Sequence, residues 1–345
     1  MGRHGSAALR ILAVAAVYYA SARVGLLQQL VRDQVTPLWP PTGVALAALF
    51  MLGLRVWPGI ALGAFLANVS LGPSLLSVLV ITLGNTLAPV CAFLMLRRVG
   101  FRTQLDRLRD VLALIFLGAL AGMLISSTIG SGVLVLSGAL DAEDFWPTWS
   151  VWWTGDAMGI LVVTPFLFVL RRARWPSRAG PGRWIEAVAL ALGTVLVTLL
   201  ATRTSDTNLL FLVSPFLIWA AFRFRLAGAA PCALAVSILA ILAAAGSRGP
   251  FDGEDVFADM VTLQAFNGTT ALTALLLAAV ITERDETHDE IKQVCARLAE
   301  MVARLDPGPE SYDDPPELLP EPPPQPPSQP PPEPPPGPPP EHPSP

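Results

Sequence analysis

Apolar residues in this chain gather into long blocks parted by short polar linkers. Eight blocks approach or exceed the ~20 residues a helix needs to cross a hydrocarbon core. They are 7–27, 74–96, 110–138, 149–170, 184–202, 208–224, 226–246 and 260–282, with 208–224 the shortest. Between the first two lie shorter runs, 41–54 and 57–71. At ~1.5 Å per residue each reaches about 20 Å, less than the hydrocarbon thickness. Both open on a Trp-Pro step, in Trp39-Pro40-Pro41-Thr42-Gly43 and in Val56-Trp57-Pro58-Gly59.

Proline removes a backbone donor and clashes with the preceding turn, so each step marks a helix end or bend. Backbone groups freed this way cannot face lipid and survive at depth only where protein or a wet cavity covers them. The pattern therefore predicts an all-α polytopic membrane protein of eight to ten segments. About eight are spanning helices, and a re-entrant hairpin or a pair of short broken helices shelters a cavity.

After the last block, residues 283–305 read as a cytoplasmic helix. Its apolar positions Ile291, Val294, Leu298, Met301, Val302 and Leu305 form one stripe, enough for a short coiled coil or a homodimer contact. Of the last 39 residues, 21 are proline, which predicts an extended, disordered and acidic tail. The expected divisions are a membrane domain over 1–282, a signalling helix over 283–305 and the tail over 306–345.

Composition sharpens the class. The chain is 52% hydrophobic and 14% charged, with mean hydropathy +0.53. Soluble domains run nearer 25% charged. The net charge of -4 hides two halves: the tail holds eight acidic and no basic residues, so residues 1–305 carry 23 basic against 19 acidic, or +4. No nucleic-acid partner is expected. The bias of arginine over lysine suggests a GC-rich bacterial genome.

Charge also sets the topology. Arginines crowd the 97–110 and 171–183 linkers and recur at Arg223 and Arg225. Asp141, Glu143 and Asp144 mark an alternate linker, as do Asp252, Glu254, Asp255 and Asp259. Basic linkers stay inside, which predicts a bacterial cytoplasmic membrane with both termini cytoplasmic. Parity then demands an even number of crossings before Arg97. A re-entrant 41–71 hairpin and two short crossings both satisfy it.

Asp156 is the strongest candidate for chemistry. It lies in Trp152-Trp153-Thr154-Gly155-Asp156-Ala157-Met158-Gly159, ~10 Å along its span. A carboxylate there costs ~2.5–3.5 kcal/mol to insert, so it should face the bundle interior with a partner or water. It reads either as a ligand, ion or proton site or as a structural hydrogen-bond acceptor. Asn68, Asn85 and Asn267 are further buried amides, suited to ligand contacts or to helix–helix hydrogen bonds. Trp39, Trp57, Trp152 and Trp153, with Pro40, Pro41 and Pro58 at the breaks, read as interface anchors or as the walls of a ligand site. Aromatic rings beside one acid would suit a cationic or amphipathic small molecule.

Cys91, Cys232 and Cys295 have neither disulfide nor metal-ligand spacing. There is no phosphate-cradling loop, nucleophile elbow or zinc motif, so no catalytic residue, cofactor or metal is expected and the chain does not read as an enzyme. His288 reads as part of an exposed charged helix.

Two separated blocks carry a resemblance. Pro37-Leu38-Trp39-Pro40-Pro41-Thr42-Gly43-Val44-Ala45-Leu46 with Val56-Trp57-Pro58-Gly59-Ile60 and Gly63 to Asn68, then Trp152 to Gly159 through Thr164-Pro165, resemble the MASE-one family of bacterial membrane sensor domains. The likeness covers approximately residues 7–285. It implies a sensory input of undefined stimulus, which the family couples to histidine kinases or cyclic-dinucleotide enzymes. The chain is therefore expected to act as a stand-alone sensor of a small ligand or membrane condition, signalling to a separate cytoplasmic kinase, cyclase or regulator. A small-molecule transporter, or a subunit of one, is the alternative.

Overall fold

A computed structural model describes residues 3–26, 36–173, 180–204, 209–246, 248–251 and 256–305; the predicted Pro-rich tail lies outside them. The described residues are helical, with no strand among them. The helices are α1 (Arg3–Leu26), α2 (Pro40–Leu52), α3 (Trp57–Asn68), α4 (Leu75–Arg98), α5 (Leu108–Leu136), α6 (Ala142–Arg172), α7 (Pro181–Ala201), α8 (Leu210–Phe224), α9 (Leu226–Ala245) and α10 (Val256–Leu305). Among the described residues seven helices are long and apolar enough to cross a membrane; α2 and α8 are shorter. The 208–224 block is thus the one expected span that forms a short helix. Contacts divide the chain into Met1–Ile291 and Lys292–Pro345.

The Trp-Pro steps start helices. Pro40 and Pro41 open α2 and Pro58 opens α3, at first-turn positions whose N–H groups would be unpaired in any helix. Gly53, at φ 88°, turns the chain between them, a conformation glycine adopts without steric cost.

Packing gives the direction of each short helix. Gly25 of α1 lies against Trp39 and Pro40, while Gly59 and Gly63 lie against Val14 and Tyr18. So α2 runs antiparallel to α1, and α3 runs back parallel to it. On the other side Gly43 meets Gly159 and Val163, and the Met51 carbonyl accepts from Arg171 Nη1 at 2.9 Å. The hairpin thus runs from the level of Gly155 toward the arginine end of α6, about 20 Å over the thirteen residues of α2, and returns along α1.

Two cores hold the bundle. The larger joins α1–α6 through Leu46, Leu49, Ile60, Leu96, Met123 and Ile160. The smaller joins α7, α8 and α9 through Leu190, Leu217, Ala220 and Val236. One face of α10 enters the first through Leu263, Ala271 and Leu275, another the second through Ala274, Ala278 and Ile281. At its arginine end α10 is tied twice: Glu283 Oε2 accepts from the Leu108 amide at 3.0 Å, and Asp285 pairs with Arg225 at 2.9 Å.

Candidate functional site

The site begins where the chain is not helical. Thr36 to Trp39 run through the bundle interior, with Thr36 and Leu38 nearly fully buried. Every buried backbone group needs a partner at such depth. The Trp39 amide donates to the Gly155 carbonyl at 3.0 Å, Gln264 Nε2 donates to the Pro37 carbonyl at 2.9 Å, and Thr36 Oγ1 donates to the Leu38 carbonyl at 3.1 Å. This covered segment explains how a thirteen-residue helix suffices, since α2 starts well inside the bundle.

Absent side chains bring α2 onto α6. A Cβ on Gly43 would meet Val163 Cβ at 2.8 Å and collide with the Gly159 backbone; one on Gly159 would collide with the Trp39 carbonyl. Thr164 Oγ1 locks the crossing by donating to the Gly43 carbonyl at 3.1 Å. Within α6 the turns Gly159–Val163 are π-helical. Pro165 follows immediately, and its missing N–H and ring clash prevent the regular bond to residue 161, which accounts for the widening. A second π-helical stretch, Leu114–Ala121, lies opposite in α5. There Trp153 Nε1 donates to the Leu120 carbonyl at 2.8 Å.

Asp156 sits at this junction with 1% of its surface exposed. Thr42 Oγ1 of α2 donates to Oδ1 at 2.6 Å, and Ser126 Oγ of α5 donates to Oδ2 at 2.5 Å. The carboxylate therefore ties three helices with neutral donors, and no cation among the described residues pairs with it. Ser126 has a single hydroxyl hydrogen and a second acceptor in reach, the Met123 carbonyl at 3.1 Å. Tyr18 of α1, 1% exposed, lies beside Trp39 and within electrostatic reach of Asp156.

Most of the sequence candidates converge here. Trp39, Pro40 and Pro41 frame the entry to α2. Trp39 and Trp152 join Asn68, Asn85, Thr36, Leu26 and Leu71 around a cavity of ≈ 40 Å³. That is room for about one to three waters between polar walls. Asn68 donates to the Ala64 carbonyl of its own helix at 2.8 Å. Asn85, 7% exposed, has no hydrogen-bond partner among the described residues. Trp153 stacks on Trp149 at 5.5 Å, and Trp149 Nε1 donates to Thr128 Oγ1 at 3.0 Å. These rings brace α6 against α5.

Two groups lie elsewhere. Trp57, half exposed, and Pro58 sit at the arginine end and take no part in the site. Asn267 is 1% exposed on α10, three residues beyond Gln264, and neither of its amide atoms has a partner among the described residues.

Thr42, Ser126, Tyr18 and Gln264 complete the site without having been singled out in the sequence. Thr42 stood inside the Trp-Pro-Pro motif, and Ser126-Ser127 interrupts an apolar span; those were the available signals. No three His, Cys, Asp or Glu side chains among the described residues could share a metal ion.

No solved structure matches the chain. The probable diguanylate cyclase DgcE of Escherichia coli (strain K12) is 27% identical over 202 residues, which cover 55% of this chain and 17% of that protein. The chain thus spans about a sixth of that relative's length. The MASE1 profile matches residues 10–285, which include both Trp-Pro helices, the Asp156 junction and the exit of α10. On that match the chain belongs to the MASE1 family, the membrane sensory domains of signalling proteins.

Proposed function

We propose that the chain is a non-enzymatic sensor of the bacterial cytoplasmic membrane, with both termini cytoplasmic, and that the Thr42–Asp156–Ser126 junction is its switching element. The carrying observation is a fully buried carboxylate on α6 that accepts from a hydroxyl of α2 and a hydroxyl of α5. Such a group has two hydrogen-bond orders. When the carboxylate accepts from both hydroxyls, α2 and α5 are drawn together. When a proton or a small ligand satisfies it instead, Ser126 turns to Met123 and the α5 tie is released.

The same turn that starts α2 is held by Gln264, so a shift of Thr36–Trp39 reaches α10 directly. Its exit at Glu283 and Asp285 then presents a changed surface to a separate cytoplasmic kinase, cyclase or regulator. A stimulus can do this only through different affinity for the two arrangements, and a coupling of ~1–3 kcal/mol changes output about 5–150-fold.

The test is a fusion of residues 1–285 to a cyclase lacking its own input, read as product formed per membrane-inserted molecule. Asp156→Asn should shift basal output at least fivefold at unchanged membrane level. Equal output from wild type and variant would refute the assignment. Counterflow in proteoliposomes separates the carrier alternative, since substrate flux dependent on Asp156 would make the protein a transporter.

A further inference from the structure

The α1–α2–α6 seam holds a cleft unrelated to the Asp156 junction. We propose that this cleft is a lipid site that takes one acyl chain of an anionic phospholipid, with the phosphate on Arg171.

The sequence builds the cleft from small residues. Over Val44-Ala45-Leu46-Ala47-Ala48, the face of α2 turned to α1 carries alanines where larger side chains would close the seam. The result is an apolar cavity of ≈ 460 Å³. An apolar cavity of about 150 Å³ already takes benzene. The floor is buried, with Val14 at 5% and Ala47 at 1% exposure, while the rim is open, with Val17 at 53% and Leu170 at 58%. Ala48 lines it as well. An open rim on a membrane-spanning bundle faces acyl chains, so lipid is the occupant at hand.

Charge selects among lipids. Arg171 is the charged residue of the lining and stands at the arginine end of the cleft. One of its five N–H groups is held by the Met51 carbonyl, which fixes the guanidinium over the mouth. No carboxylate among the described residues pairs with it. The remaining donors suit a phosphate, which guanidinium binds bidentately. A basic group between spanning helices at one leaflet is the arrangement that holds anionic headgroups. The inference does not depend on the sensory reading.

The full chain in nanodiscs of equimolar phosphatidylglycerol and phosphatidylcholine, with identical acyl chains, provides the test by native mass spectrometry. One retained phosphatidylglycerol is expected, preferred about fivefold, the factor one arginine near an anionic headgroup supplies. Arg171→Gln should bring the preference near one while a lipid is still retained. Ala48→Leu should reduce retention of both lipids. Should Ala48→Leu fail to fold, Val17→Trp fills the cleft from its exposed rim without entering the core and should have the same effect. Equal retention of the two lipids by the wild type, no retained lipid, or retention that survives Val17→Trp would overturn the proposal.

Discussion

Thr42 Oγ1 donates to Asp156 Oδ1 over 2.6 Å, a bond between residues 114 apart in the chain. It fixes the level at which the Trp-Pro-Pro turn enters the bundle, because the Trp39 amide and the Gly155 carbonyl pair one step away. Removing the acceptor strands the Thr42 hydroxyl, while Ser126 keeps the Met123 carbonyl. Asp156→Leu should lower stability by about 1–3 kcal/mol, the cost of one buried donor left unmade. Asp156→Asn keeps an acceptor and should cost less than half as much. Thermal unfolding in detergent, followed by tryptophan emission, measures the difference.

The glycine crossing has a sharper signature. Gly159→Ala drives a methyl into the Trp39 carbonyl, and backbone has no side-chain rotamer to yield. A loss of about 2–3 kcal/mol is expected, near the upper range for overpacking. Gly132 is the control: a Cβ there meets nothing within 4 Å, so Gly132→Ala should stabilise α5 by ~0.5–1 kcal/mol through helix propensity. Equal effects of the two substitutions would remove the crossing from the account.

Arg225 holds φ at 53° and ψ at -143°, a region that favours glycine, at the turn between α8 and α9. A non-glycine residue there costs ~1–3 kcal/mol. Its exposed pair with Asp285 contributes ~0–1 kcal/mol in return. Arg225→Gly should therefore be more stable than Arg225→Ala by at least about 1 kcal/mol, since both lose the ion pair and only glycine relieves the backbone. Amide exchange of residues 283–291 should rise in both, because the tie on the exit of α10 is gone in each.

Much of the architecture was legible in the sequence, for a physical reason. Hydrocarbon admits few backbone solutions, so apolar block length read directly as helix for α1, α4, α5, α6, α7, α9 and α10. Block length overshot at 208–224, where Ser214-Pro215 starts the α-helical part of α8 late and its first residues, Leu210–Val213, form a 3-10 turn. The site was legible in part. Asp156 announced itself because a lone carboxylate is costly in an apolar span, and Trp39 because its prolines interrupt one. Thr42, Ser126 and Tyr18 carry no such penalty, and a hydroxyl in a spanning helix ordinarily bonds its own backbone, as Thr86 and Ser127 do here. Only the three-dimensional convergence of α2, α5 and α6 sets Ser126 and Thr42 apart from them. Trp57 shared the Trp-Pro signal with Trp39 yet lies at the opposite end, because the hairpin turns at Gly53 between them.

The central claim is that Thr42 and Asp156 act as one switching unit, and a double-mutant cycle in the cyclase fusion measures it. Thr42→Val, Asp156→Asn and the double variant are compared with wild type for output per membrane-inserted molecule. The account predicts an interaction of at least ~1 kcal/mol, about a fivefold departure from multiplicative effects, as expected for residues in direct contact. Effects that multiply, or single variants whose output equals wild type, would contradict it.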